Sequence, residues 1–266
     1  MGITTADYDP YRGMDMLEQS LMLSANIYPS SPVVSTKDWE KILAYYFHHA
    51  PDSLITPRDS SRLLDQFITR EKGDLIEAPR VTMLSFDPVV HTIFVGLESG
   101  RVYSFSKGWT LINEYHIGTT PVQYIPGKDT AYILAVGVLY PSEQKTGSLL
   151  RLVNGQFQQV LNQLHRPVWL TSLDMNGDLR RDFVISEFGY ETGQLAWYDP
   201  DTSIPTEPHV IYPGAGSIKS FLQDMNSDGV EELVVLNAQG NEHVAVYSLG
   251  GKSNIQEKIL LRKAQY

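Results

Sequence analysis

The chain contains no cysteine, so it can form neither a disulfide nor a thiolate metal site, and a c-type haem would lack the thiols that attach it. It is also short of positive charge. Lys and Arg number 21 against 31 Asp and Glu, a formal charge of -10, and no basic run is present to neutralise a phosphate backbone. Nucleic acid and anionic membranes are therefore poor partners. No stretch approaches the ~20 apolar residues that span a bilayer, so no transmembrane segment is expected. The opening MGITTADYDP has neither a basic n-region nor an apolar h-region, so it does not read as a signal peptide. What the chain does have is 266 residues, 42% of them hydrophobic, enough to fill a large core.

The first fifth differs in kind from the rest. STKDWEKILAYYFHHAP (35–51) places Trp39, Ile42, Leu43, Tyr46 and Phe47 at helical spacing, with Ser35 or Thr36 to cap it and Pro51 to end it. MDMLEQSLMLSA (14–25) is a second, weaker helical stretch, with Met14, Leu17, Leu21 and Met22 on one side. Residues 1–56 are thus expected to form a short helical segment, and 57–266 a separate β region.

In that β region the period changes to short strands rich in β-branched and aromatic residues, separated by Gly, Pro, Asp and Asn. Four units of four strands align, over about 79–118, 119–165, 166–214 and 215–266. Their first strands are RVTMLSFD (80–87), PVQYIPG (121–127), PVWLTSLD (167–174) and SIKSFLQD (217–224). Four strands in this length match a β-propeller blade. The fold expected is all-β, a propeller with about four visible four-stranded blades behind a short helical segment. Four blades leave closure open: a closed ring, an arc completed by a missing domain or a second copy, or part of a longer protein. QFITREK (66–72) could be an outer strand or a lead-in.

Two units carry acidic clusters between their first and second strands. SLDMNGDLRRDFVIS sets Asp174, Asn176, Asp178 and Asp182 at positions 1, 3, 5 and 9 of a loop, and QDMNSDGVEELVV repeats this with Asp224, Asn226, Asp228 and Glu232. Hard divalent cations want six to eight oxygens at ~2.3 to 2.6 Å, and a tight loop can bring several to one point. The spacing is that of an EF-hand's first half, but position 12 is Ile185 or Val235 and the next segment is strand. A structural Ca²⁺ in a strand-loop-strand hairpin is the expectation; the bland alternative is that Asp and Asn only make the turn. Gly229 supplies the sharp turn at the sixth position, where the first loop has Leu179, so the second loop reads as the better metal site.

DMNGDLRRDFVI and DMNSDGVEELVV resemble the calcium loop of FG-GAP/VCBS repeats, the blades of integrin-alpha-like propellers. The longer run 165–200 is similar to a bacterial group of extracytoplasmic VCBS-repeat proteins often associated with a cytochrome c-like segment. The resemblance is strongest over 165–237. It implies a periplasmic or extracellular protein. It also implies that residues 14–56 are the end of a cytochrome-like segment, with Met14, Met16 or Met22 as a leftover axial ligand; packing of the short helices is the simpler role for these methionines. No C-x-x-C-H is present, so covalent haem is excluded in this chain.

EFGYETGQLAWY (187–198) gathers Glu187, Tyr190, Glu191 and Trp197, and His165 and Arg166 precede the same unit. Two carboxylates beside aromatics are what a glycosidase needs, but nothing in the spacing fixes their separation. A ligand surface on the loops of a rigid scaffold is the better reading of these six residues. The 7 histidines form no metal pattern. The leading expectation is a non-enzymatic, calcium-stabilised repeat module that binds a protein or glycan partner. The rivals are the haem-free part of a redox or electron-transfer protein and a carbohydrate-active enzyme.

Overall fold

The computed structural model of the chain describes residues 9–53, 80–127, 130–199, 207–249 and 255–262. QFITREK (66–72) lies outside them. The chain divides into two compact units: one takes residues 1–14 and 26–79, the other 15–25 and 80–266.

Among its described residues the smaller unit has one helix, Thr36–His49. Ser35 is its N-cap: its Oγ accepts the Asp38 N–H at 3.2 Å and donates to Asp38 Oδ2 at 2.7 Å. The backbone turns extended at Ala50, ahead of Pro51, whose ring cannot continue a helix. Tyr11 and Tyr28 meet edge to face at 5.9 Å in the same unit.

Among its described residues the larger unit holds a helix, α1 (Met16–Ala25), and sixteen strands in four antiparallel sheets of four. The helical segment therefore splits, with α1 in the unit of the sheets and only α2 (Thr36–His49) in the other. Blade 1 is β1 (Val81–Asp87), β2 (Thr92–Leu97), β3 (Arg101–Phe105) and β4 (Leu111–His116). Blade 2 is β5 (Thr120–Ile125), β6 (Tyr132–Gly137), β7 (Gly147–Val153) and β8 (Gln156–Leu164). Blade 3 is β9 (Pro167–Leu173), β10 (Asp182–Glu187), β11 (Gln194–Tyr198) and β12 (His209–Tyr212). Blade 4 is β13 (Ser217–Gln223), β14 (Glu232–Asn237), β15 (His243–Leu249) and β16 (Ile255–Arg262). In each blade sequence neighbours are sheet neighbours, the up-and-down order of a β-propeller.

Blades stack through their first strands: β1 packs on β5, β5 on β9 and β9 on β13. Three apolar layers fill the gaps. Met83, Phe94 and Val102 meet Tyr124 and Ile133 between blades 1 and 2; Leu134 and Leu149 meet Leu170, Phe183 and Ile185 between 2 and 3. Leu173, Val184 and Leu195 meet Leu233, Val235 and Tyr247 between 3 and 4. The second strands are apolar on both faces because both faces are covered. Ile185 and Val235 are fully buried, and each such side chain contributes about 1.5 to 3 kcal/mol by leaving water.

Side chains also bond across the gaps to neighbouring backbone. Thr82 Oγ1 donates to the Pro121 carbonyl at 2.7 Å, Gln123 both accepts the Leu170 N–H at 2.7 Å and donates to its carbonyl at 3.1 Å, and Thr171 Oγ1 donates to the Ser220 carbonyl at 3.0 Å. Every blade carries a register shift near the start of its first strand, at Val81/Met83, Pro121/Gln123, Ser186/Glu187 and Ser217/Lys219. Such bulges raise the local twist and re-aim the strand end, here at the same place four times.

Candidate functional site

The loops joining first to second strands lie at one end of the blades, and those joining second to third strands lie at the other. The acidic loops occupy the first end. Asp224 accepts the N–H groups of Ser227 at 2.7 Å and Gly229 at 3.0 Å, Asn226 Oδ1 that of Asp228 at 2.9 Å, and Asp228 that of Val230 at 2.8 Å. Glu232, buried at the start of β14, accepts the Met225 N–H at 2.8 Å and the Asn226 side-chain amide at 2.9 Å. The other loop follows the same plan. Asp174 accepts from Gly177 at 2.6 Å and Leu179 at 2.9 Å, Asn176 from Asp178 at 2.9 Å, Asp178 from Arg180 at 2.8 Å, and buried Asp182 from Met175 at 2.7 Å.

Both loops need a left-handed backbone at positions four and six. The first places Gly177 (φ 78°) and Leu179 (φ 68°) there, the second Ser227 (φ 64°) and Gly229 (φ 85°). Each loop thus has glycine at one of the two positions and a side chain in the disfavoured region at the other. The expected inferiority of the first loop does not follow from its geometry, because Leu179 adopts the conformation of Gly229.

These hydrogen bonds set the charges. The Gly229 and Ser227 N–H groups hold the Asp224 carboxyl below the ordinary range against burial. Burial pushes Asp174 up, but the N–H groups of Gly177 and Leu179 outweigh it and the net shift is downward. Burial pushes Asp182 up, with Asp199 and Asp178 adding repulsion. Among the described residues no three acidic or histidine side chains already converge as a metal-holding group. The donor set still suits a hard cation. It alternates carboxylate, amide and carboxylate oxygens, and an oxygen that accepts one N–H keeps a further lone pair.

Of the six residues read as a ligand surface, two are inside the molecule and four, Arg166, Tyr190, Glu191 and Trp197, are half-buried. His165 and Glu187 are buried. The Glu187 carboxylate accepts the His165 N–H at 2.6 Å, the Gln194 amide at 2.7 Å and the Tyr198 hydroxyl at 2.5 Å. Its burial within the sheet is what keeps it from presenting a surface. Trp197 lies in the layer between blades 3 and 4, stacked on His209 at 4.0 Å. Arg166, held at positive φ, spans the blade junction by donating to the carbonyls of Gly189 and Leu139. Tyr190 and Glu191 are half-buried on the β10–β11 loop, where the Tyr190 carbonyl accepts the Gln239 amide at 2.5 Å.

The centre of this arrangement is a residue the sequence did not single out. Glu143, fully buried in the β6–β7 loop, lies 3.3 Å from His165 Nε2. It accepts the Glu191 N–H at 2.7 Å, the Thr192 N–H at 3.4 Å and the Thr192 hydroxyl at 2.5 Å. Burial pushes its carboxyl up, but His165 and Thr192 prevail and hold it below the ordinary range. One helical residue reaches the same loop: Glu18 of α1 accepts the Ser142 hydroxyl at 2.7 Å and the Glu143 N–H at 3.1 Å. Blade 2, blade 3 and α1 are thus tied by one polar cluster, in a chain with no disulfide to do so. PSEQKTG carries no periodic apolar signal, so nothing in the sequence marked Glu143 as interior. Of the three methionines, Met22 is buried in the larger unit and Met16 is exposed.

No family model matches the sequence, and no curated protein does. Solved structures similar to part of the chain were found. The chain is similar to BBS1N, solved in complex with ARL6DN (18% identity, TM-score 0.44, 65% of this chain and 53% of that one). It is also similar to the Dos1 propeller (13%, 0.46, 69% and 46%) and to Kuenenia stuttgartiensis hydrazine synthase (12%, 0.45, 66% and 53%). The aligned part spans about half the length of those chains.

Proposed function

We propose that the chain is a non-enzymatic binding module of the FG-GAP/VCBS type that works outside the cytoplasm. A structural Ca²⁺ in each acidic loop, held by Asp174, Asn176, Asp178 and Asp182 or by Asp224, Asn226, Asp228 and Glu232, ties the hairpin together. The observation that carries this reading is the shared hydrogen-bond plan of two loops fifty residues apart, each aligning alternate oxygen side chains. The partner, a protein or a glycan, meets the opposite end. There the loops between second and third strands carry Tyr140, 64% exposed, and the half-buried Tyr190 and Glu191, and buried Glu143 holds the Glu191 N–H. Amphipathic aromatic side chains on a rigid base suit recognition.

Two measurements test this. Adding millimolar Ca²⁺ to chelator-treated protein is expected to raise Tm, as mass action requires of a ligand selective for the folded state; Asp224→Ala should remove part of the shift, and Asp174→Ala added to it the rest. An unchanged Tm removes the calcium sites. Binding of the intact protein to an array of surface glycans should be lost in Tyr140→Ala and kept in Asp224→Ala; the reverse pattern would move the partner to the acidic end.

A further inference from the structure

Between blades 3 and 4 the apolar layer gives way to a polar one. Thr171 Oγ1 and Ser220 Oγ meet at 2.8 Å across that junction. One step nearer the loops between second and third strands, Trp169 and Ser186 are strand partners on blade 3, and Ser217 and Asn237 are strand partners on blade 4. Strand alternation turns both pairs into the gap. Trp169 shares the face of Thr171 and Leu173, Ser186 that of Val184, and Asn237 that of Leu233 and Val235. Ser186 and Ser217 are 0% exposed and Asn237 1%.

Among the described residues Trp169 Nε1, Ser186 Oγ, Ser217 Oγ and Asn237 Oδ1 are buried atoms with no hydrogen-bond partner. A neighbour explains the last of them. His243 Nδ1 faces the Asn241 carbonyl, so in the neutral ring that nitrogen carries the proton, and Nε2 accepts from the Asn237 amide at 3.0 Å. Asn237 Oδ1 is left over. The matching positions at the other junctions leave no such group. Between blades 2 and 3 the counterpart of Asn237, five residues after the start of its strand, is Glu187, whose carboxylate takes three protein donors. Between blades 1 and 2 the counterparts of Trp169 and Ser186 are Met83 and Gly96, packed so closely that a Cβ on Gly96 would lie 2.5 Å from Pro121 Cγ.

We propose that this layer is a binding site for water, held between Trp169 and Ser186 of blade 3 and Ser217 and Asn237 of blade 4. An unpaired buried polar atom costs its full desolvation, and here four such atoms share one gap. Their chemistry selects the ligand. The indole N–H only donates, the amide oxygen only accepts, and the hydroxyls do either. All four are neutral, so they match neither a cation nor an anion. Water donates and accepts at once, is satisfied by about two to four partners, and so bridges an N–H on one blade to an oxygen on the next. The site goes beyond the binding reading and does not depend on it.

A crystal structure of the full chain that shows ordered solvent tests the proposal. Water density is expected within hydrogen-bond reach of Trp169 Nε1 and of Ser217 Oγ or Asn237 Oδ1. In urea unfolding, Trp169→Phe and Asn237→Ala together should lower the midpoint by clearly less than the sum of their separate shifts, because losing either side chain already breaks the shared bridge. Ser186→Ala with Ser217→Ala, which remove only hydroxyls, gives the same comparison should the larger changes prevent folding. A layer without water density, or additive shifts in both pairs, overturns the proposal.

Discussion

Leu179 is 95% exposed and has a left-handed backbone, so its side chain gives little packing in return for a conformation that costs about 1 to 2 kcal/mol in an L-residue. Glycine there removes the strain but adds about 0.4 to 1 kcal/mol of unfolded-state entropy to overcome. Leu179→Gly is therefore expected to stabilise by ~0.5 kcal/mol, read as a higher urea midpoint at constant slope. A lower midpoint would show that the leucine side chain is held by something. The sequence revealed the turn at Gly229 because glycine announces it. It could not reveal the same turn at Leu179, since leucine is an ordinary residue whose backbone is dictated by the Asp174 carboxylate.

The strands themselves were legible. Alternation in β1, β5, β9 and β13 and the apolar runs of β2, β6, β10 and β14 follow from which faces meet a neighbouring blade. The loops were legible only where a motif repeated. Glu143 has no repeat and no periodic neighbours, yet it joins two blades and a helix. Replacing it by glutamine puts an N–H₂ where donors already point, and should destabilise the fold by about 1 to 3 kcal/mol near pH 7. Its native pKa is depressed, so the folded state binds fewer protons there, and its contribution is complete above the ordinary carboxylate pKa and fades as pH falls through the native value. The gap between wild type and Glu143→Gln should therefore narrow in urea unfolding at about pH 3.5; a constant gap would mean the charge is immaterial.

Among the described residues of the larger unit, three tyrosine hydroxyls point at carboxylates: Tyr124 at Asp87 in the preceding blade, Tyr198 at Glu187 and Tyr247 at Glu257. Burial above all, and then the carboxylates, raise all three phenols well beyond their ordinary range. The folded state holds these protons more tightly than the unfolded chain, so their stabilisation is complete below the ordinary phenol value of ~10 and is lost as pH rises above it. Alkaline titration should show these phenolates, by their absorbance, appearing together with loss of β-sheet ellipticity. Phenolate formation that precedes unfolding would place them in contact with water. The sequence could show which residues are tyrosine, but not that blade stacking would set Tyr124 beside Asp87, or strand pairing Tyr198 and Tyr247 beside Glu187 and Glu257.

Beside the Tyr124–Asp87 and Thr171–Ser220 side-chain bonds, one set of bonds between first strands ends on main-chain atoms. Thr82 reads the carbonyl of Pro121, Gln123 both amide atoms of Leu170, and Thr171 the carbonyl of Ser220. A contact that reads only the peptide group is indifferent to the identity of the residue it touches. Duplication or loss of a whole unit in the gene would leave such a coupling intact at the new boundary. At a new boundary only the side-chain pairs and the apolar layer would have to be matched again.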